Sequence, residues 1–139
     1  MTHDLDRFVA AQDAGGTYEQ ALRELRAGRK TSHWMWFVFP QIAGLGRSGM
    51  AQRYAISDLA EARAYLNHPV LGPRLVTAAE SVLTHRQRSA EEILGGVDAV
   101  KLCSSMTLFA YADESQTIFR TVLDAFFDGT EDPATLERL

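Results

Sequence analysis

The sequence predicts an all-α fold: one compact domain, residues 1–139, of about seven to eight short helices. Three observations predict it. Apolar residues recur at i, i+3 and i+4 through most of the chain, the spacing of an amphipathic helix. Cap-forming residues stand just before these stripes and glycines just after them. The single strand-like run has no partner to pair with, and an unpaired strand leaves its backbone groups unsatisfied.

The elements follow in order. Leu5, Phe8 and Val9 predict a first helix over about residues 4–14, ended by Gly15-Gly16. Thr17-Tyr18-Glu19-Gln20 reads as a capping box: the threonine hydroxyl caps the helix start and the glutamine amide reaches back. Tyr18, Ala21, Leu22 and Leu25 mark the inner face of this second helix, and Gly28 stops it. Trp34 to Phe39 is an unbroken apolar run closed by Pro40, which we assign to a short buried helix or turn. Gln41 to Gly49 reads as a glycine-rich loop. Asp58 and Glu61 open the next helix, with Leu59, Ala62 and Leu66 inside. Pro69 and Pro73 suit the first turn of a helix whose stripe is Leu71, Leu75, Ala78, Ala79, Val82 and Leu83. Ser89-Ala90-Glu91-Glu92 is a second capping box, for a short helix ending at Gly95-Gly96. Asp98 is placed to cap the following helix, which turns Leu102, Met106 and Phe109 to one side. Ile118, Phe119, Val122, Leu123, Phe126 and Phe127 define the last long helix. Asp132-Pro133 starts a terminal turn or two.

Composition narrows the function classes. Apolar residues at 46% and charged residues at 23% describe an ordinary globular chain. No apolar run reaches the ~18 residues that span a bilayer, so no membrane role is expected. The polar start Met1-Thr2-His3-Asp4 has no apolar leader, and the expected compartment is the cytoplasm. A lone Cys103 leaves no internal disulfide and no multi-cysteine zinc site. No histidines pair at i, i+3 or i+4, so neither metal nor cofactor is expected. A net charge of −4 argues against a dedicated nucleic-acid binder. The charge is unevenly spread, however. Residues 23–53 carry six basic side chains and one acid, whereas residues 111–139 carry seven acids and two arginines. A local anion site in an acidic protein is one reading, and two solvated faces of opposite sign is the other.

Several motifs bear on chemistry. Gly44-Leu45-Gly46-Arg47-Ser48-Gly49 matches the dinucleotide-binding GxGxxG, but Pro40 interrupts the strand that should precede it and no βαβ unit follows. A flexible loop fits better, with a phosphate nest at Arg47 and Ser48 as its functional form. Gly28-Arg29-Lys30-Thr31 lacks P-loop spacing, and Gly46-Arg47-Ser48-Gly49 is one residue too short for a nucleophile elbow. The chain uses twelve arginines and only two lysines, Lys30 and Lys101, each in an unusual segment. Lysine is a compact point charge that arginine does not replace. His33 lies beside Lys30, Ser32 and Trp34. Asp98, Lys101 and Ser105 share one helix face, and Ser104 and Ser105 are poor choices for a helix interior unless they donate to something. Either Trp34 or Trp36 is placed to stack on a planar ligand while the other fills the core.

These segments resemble a known bacterial family. The block Lys30…Ser32-His33-Trp34-Met35-Trp36-Phe37-Val38-Phe39-Pro40-Gln41 carries the resemblance, with Tyr54-Ala55-Ile56, His68-Pro69-Val70-Leu71-Gly72 and Ser104-Ser105-Met106-Thr107-Leu108-Phe109. The family is the one filed as domain of unknown function 1810, and the similarity covers nearly the whole chain. It implies a small, cytosolic, mostly helical domain and supplies no activity, cofactor or catalytic residue. The family pattern has a charged residue where this chain has Cys103, which speaks against a catalytic cysteine. A fainter similarity to helical NAD- and ADP-ribose-handling domains lies in the order of features only and carries no site.

Two functional expectations follow. The first is a domain that binds a phosphorylated nucleotide or ADP-ribose-like ligand, with hydrolysis of that ligand as its enzymatic form. Lys30, Ser32, Arg47, Lys101, Ser104 and Ser105 would hold the anion, Trp34 or Trp36 would stack, and His33 or Asp98 would move a proton. The second is a non-catalytic regulatory or protein-interaction domain with an exposed apolar patch. The sequence leaves the oligomeric state open.

Overall fold

Helix α8, Gly96–Ala112, is the longest element, and α5, α7, α9 and α10 pack on it. From Ser104 to Ala110 it is buried on every side, as a core helix must be when both its faces are covered. These facts come from a computed structural model, which describes residues 4–139. The all-α expectation holds: the described residues form α-helices and one short 3-10 turn, and their only β-type pairing is the isolated bridge Ile42–Ile56.

The remaining helices are α1 Asp6–Asp13, α2 Thr17–Ala27, α3 Met35–Val38 and α4 Gly49–Arg53. After these come α5 Leu59–Asn67, α6 Leu71–Leu83, α7 Ala90–Leu94, α9 Ile118–Phe127 and α10 Pro133–Leu136. Both α3 and α4 are single turns. The glycine-rich loop runs over residues 41–48, one residue shorter than expected, because Ser48 caps α4 by accepting from Ala51 N and Gly49 is its first helical residue.

Local signals hold where the chain on both sides is ordinary. Asp58 accepts from Glu61 N, Ser89 and Glu92 form the reciprocal box, and Asp132 accepts from Thr135 N with Pro133 at the first helical position. His68 also serves a boundary: its Nδ1 accepts from Val70 N and Leu71 N at 3.1 and 3.2 Å.

Two expectations are corrected. Thr17 does not cap α2. Gly15 and Gly16 are both left-handed, so the chain enters α2 through Gly16, and Thr17 Oγ1 donates back to Ala14 O at 2.6 Å. Gln20 reaches forward to Glu24 instead of back. Nor does Asp98 cap α8. Gly95, at φ 88° and ψ 160°, lets the helix begin at Gly96, and Asp98 falls inside the first turn with its carboxylate free for other partners.

The Trp34–Phe39 run packs as a buried turn, with Phe8, Phe37, Tyr54 and Tyr65 meeting in edge-on and tilted contacts. Beyond Pro40, Ala43 N donates to Ile56 O at 2.7 Å and Ile56 N to Gln41 O at 2.8 Å. That two-bond clasp anchors the start of the glycine-rich loop. Among the described residues, no helix is long and apolar enough to cross a membrane.

Candidate functional site

Glu24 organises the segment that leads into the aromatic run. It is only 5% exposed, yet its carboxylate accepts five hydrogen bonds. Oε1 takes Thr31 N at 2.7 Å, Ser32 N at 3.0 Å and Trp34 Nε1 at 2.9 Å. Oε2 takes Gln20 Nε2 at 2.9 Å and Ser32 Oγ at 2.5 Å. Burial pushes the Glu24 carboxyl up, but the donors from Ser32, Thr31, Gln20 and Trp34 outweigh it and hold the group well below the usual carboxylate range.

This strap decides the fate of three candidates. Trp34 is fully buried with its only polar atom engaged, so it fills the core and offers no face to a ligand. Ser32 spends its hydroxyl on Glu24. His33, squeezed out between them, is exposed and makes no hydrogen bond or ion pair with the described residues. It has no partner that would orient it as an acid or base.

The two lysines converge. Lys30 N donates to Ile93 O at 2.7 Å, which fixes the backbone beside α7. Its ammonium lies 2.9 Å from Asp98 Oδ2 and 5.2 Å from the centre of the Trp34 ring. Lys101 Nζ lies 3.6 Å from Asp98 Oδ1 and 5.3 Å from the centre of the Trp36 ring. One carboxylate thus faces two ammonium groups, leaving one positive charge over. The shorter contact and deeper burial belong to Lys30, 8% exposed, against 23% for Lys101. The surplus charge therefore sits on Lys101, the wetter of the two.

Lys101 opens into a cleft of about 420 Å³ built from three elements. The glycine-rich loop contributes Gln41, Leu45 and Gly46. Helix α8 contributes Val97, Val100, Lys101 and Ser104, and the start of α10 contributes Asp132 and Ala134. The second glycine of the GxGxxG pattern has a local reason: a Cβ on Gly46 would stand 2.4 Å from Ala51 Cβ. That glycine lets loop and α4 close on each other. The walls are mainly apolar, and Val97 and Val100 are 73% and 62% exposed. At the polar end, Ser104 Oγ lies 2.9 Å from Asp132 Oδ2, the same oxygen that accepts from Thr135 N and Thr135 Oγ1.

Of the expected ligand-binding residues, then, Lys101 and Ser104 line the cleft, whereas Trp36, half-buried, does not line it and meets the Lys101 ammonium with its ring. Lys30 acts one step back, through Asp98. Arg47 is exposed on the loop next to Gly46 but does not line the cleft. Ser105 is fully buried and its hydroxyl has no partner, which removes it from any surface site. Asp98 is committed to the lysines. Cys103 is half-buried; burial and the nearby Asp132 charge push its thiol up to about 11, so it is not an activated nucleophile. Among the described residues no His, Cys, Asp and Glu side chains group in threes that could hold a metal ion.

Sequence reasoning missed Val97, Val100 and Asp132 as site residues. The valines did leave a signal. They stand at i, i+3 off the buried Ala99–Leu102–Met106 stripe, where a solvated helix face would carry polar groups.

Fold and cleft together define a small all-α domain with an open, largely apolar cleft that has the Lys101 ammonium at its edge. The chain belongs to the family described as "Protein of unknown function (DUF1810)", whose pattern matches residues 2–139. It is similar to the conserved hypothetical protein Rv1873 from Mycobacterium tuberculosis, whose crystal structure superposes with a TM-score of 0.94 at 52% identity, over 98% of this chain and 96% of that one. No curated protein matches the sequence.

Proposed function

We propose that the cleft between the glycine-rich loop and α8 binds a small ligand with a flat apolar body and one anionic group, of the phosphorylated-nucleoside or ADP-ribose-like class. The observation that carries the reading is the placement of Lys101. Its charge is not consumed by Asp98, because Lys30 sits closer to that carboxylate. A lysine held this way meets an anion without paying the full cost of ordering a free side chain. Leu45, Val97 and Val100 supply the apolar slot that a base would enter. Arg47, one residue beyond Gly46 on the same loop, is a second exposed cation. The reading is one of binding. Hydrolysis is its enzymatic extension, with the bacterial cytoplasm as the setting, supported by a relative of 52% identity in a bacterium and by a single cysteine.

The test is a thermal-shift panel of ADP, NAD, ADP-ribose and ribose 5-phosphate on the wild type, Lys101→Ala and Val100→Asp, with product formation followed in the same samples. A ligand at a hundred times its dissociation constant adds about 2.7 kcal/mol. Stabilisation of the wild type alone supports the cleft. Equal stabilisation of all three proteins moves the ligand elsewhere, and no stabilisation by any compound refutes the reading.

A protein-interaction domain is the second reading, favoured by the exposure of Val97 and Val100. It expects no stabilisation by the panel, and a partner whose binding Val100→Asp abolishes while Lys101→Ala leaves it nearly intact.

A further inference from the structure

Asp132 does more than start α10. A helix cap needs one acceptor for one backbone N–H, and Thr135 N meets that need at 3.1 Å. The same oxygen, Oδ2, also accepts from the Thr135 hydroxyl at 2.6 Å and from the Ser104 hydroxyl at 2.9 Å. The backbone is tied as well. Asp132 N donates to Thr107 Oγ1 at 3.0 Å, and Thr107 Oγ1 donates onward to Cys103 O at 2.8 Å. Ser104, Thr107 and Thr135 are all buried. Neutral groups from α8 and α10 therefore fix the carboxylate in place.

All three side-chain bonds fall on one oxygen. Among the described residues Oδ1 accepts no hydrogen bond, and no cation stands within 4.0 Å of the carboxylate. The neighbouring Glu131 differs, with Arg120 at 2.6 Å. Oδ1 is not sealed off either, because the only buried side-chain polar atom without a partner among the described residues is Ser105 Oγ. Asp132 is half-buried and lines the cleft, so Oδ1 reaches water through that opening. A carboxylate oxygen with both lone pairs free accepts two further hydrogen bonds.

The cleft thus asks for different groups at two places. Lys101 meets an anion. Ser104, which holds Asp132, stands three residues further along α8, about 4.5 Å along its axis. An anion there would face a carboxylate with no cation beside it, whereas a hydroxyl would donate to it in a charge-assisted bond. A ligand that suits both places carries phosphate at one side and neutral hydroxyls at the other, which is the layout of a ribose 5-phosphate unit.

Resting on the reading of the cleft as a phosphorylated-nucleoside site, we infer that Asp132 sets its specificity. Oδ1 accepts from the 2′- and 3′-hydroxyls of the ribose, so the cleft selects a nucleotide with a free diol and rejects one deoxygenated or phosphorylated there.

The test is titration calorimetry with ADP, its 2′,3′-dideoxy form, and adenosine 3′,5′-bisphosphate, the isomer of ADP with its second phosphate on the 3′-hydroxyl. On the wild type the dideoxy form and the bisphosphate are each expected to bind about tenfold or more weakly than ADP. ADP and its dideoxy form carry the same charge, so their ratio reads the hydroxyl contact alone. Asp132→Asn keeps an oxygen for Thr135 and Ser104 and turns the atom facing the cleft from an acceptor into an NH2 donor. In that variant the lead of ADP over the dideoxy form is expected to shrink, and the bisphosphate to gain about tenfold relative to ADP. A residue that only caps α10 would leave both ratios unchanged. Unchanged ratios in Asp132→Asn, or equal wild-type affinity for ADP and either analogue, would overturn the inference and leave the Lys101 cleft standing. So would tighter binding of 2-aminoethyl phosphate, which would assign Oδ1 to an ammonium group. Failure of ADP to bind overturns it too, and the reading of the cleft falls with it only if NAD, ADP-ribose and ribose 5-phosphate also fail.

Discussion

Two tryptophans stand two residues apart in the same short turn and live in different worlds. Trp34 is sealed in the core, its indole N–H held by Glu24. Trp36 is half-buried, with the Lys101 ammonium over its ring at the edge of an open cleft. The regions they anchor differ in the same way. Around Glu24 five donors from residues no more than ten positions away close on one carboxylate, and neither of its oxygens is left to offer a ligand. Around Lys101 the polar groups are fewer and looser, and apolar surface stays in water. The comparison teaches that a dense polar cluster near aromatic residues can be a structural strap, while the binding surface lies where matching is incomplete.

The sharpest way to break this comparison is Glu24→Ala. It strands Thr31 N, Ser32 N and Trp34 Nε1 away from water, and stability should fall by about 3 kcal/mol or more in urea unfolding. A loss below about 1 kcal/mol would mean that water replaces the carboxylate. Trp34→Phe should cost about 2 kcal/mol, combining lost volume with one unmet acceptor bond. A smaller effect is expected for Lys30→Met, about 1 kcal/mol. That variant also hands Asp98 wholly to Lys101, so any ligand that binds the wild-type cleft should bind more weakly, as calorimetry would read.

Acid provides a further lever. The folded-state pKa of Glu24 is depressed below its ordinary value of 4.5, so its contribution is fully present above about that pH. It is lost as pH falls towards the depressed value. Wild type should therefore lose stability below about pH 4.5 along a steeper line than Glu24→Gln, in paired unfolding curves. Parallel lines would remove Glu24 from the account. The smallest stability effects belong to the cleft. Val97→Ser and Val100→Ser should each change stability by no more than about 0.5 kcal/mol, because these side chains are already in water. Their effect should fall on binding alone.

How much of this was legible in the sequence depends on how far apart the interacting residues lie. Ser89 with Glu92, Asp58 with Glu61 and Asp132 with Thr135 are three residues apart, and a cap needs only that turn of backbone to form. Thr17 broke the rule because Gly15 and Gly16 enter α2 from the left-handed region, a conformation that only the assembled α1–α2 corner selects. Asp98 broke it because Gly95 let α8 start a turn early. Lys30 and Lys101 stood out by rarity, and the i, i+3 spacing on one helix face already offered Lys101 to Asp98, but nothing local says that Lys30 joins them. The valines at 97 and 100 were visible as apolar residues on the wrong face, with no indication that a loop and α10 would wall them in.

By itself the sequence determined the helical class, the segments and most of their ends, since those follow from apolar period and from hydrogen bonds within one turn. It also determined that most of the Trp34–Phe39 run would be buried, since six apolar side chains in a row cannot all be solvated cheaply. Only the tertiary structure decided which tryptophan is sealed, which lysine keeps its charge, and which oxygen of Asp132 is left to the cleft. Those outcomes depend on packing between segments distant in the chain, where geometry rather than local preference selects each polar group's partner.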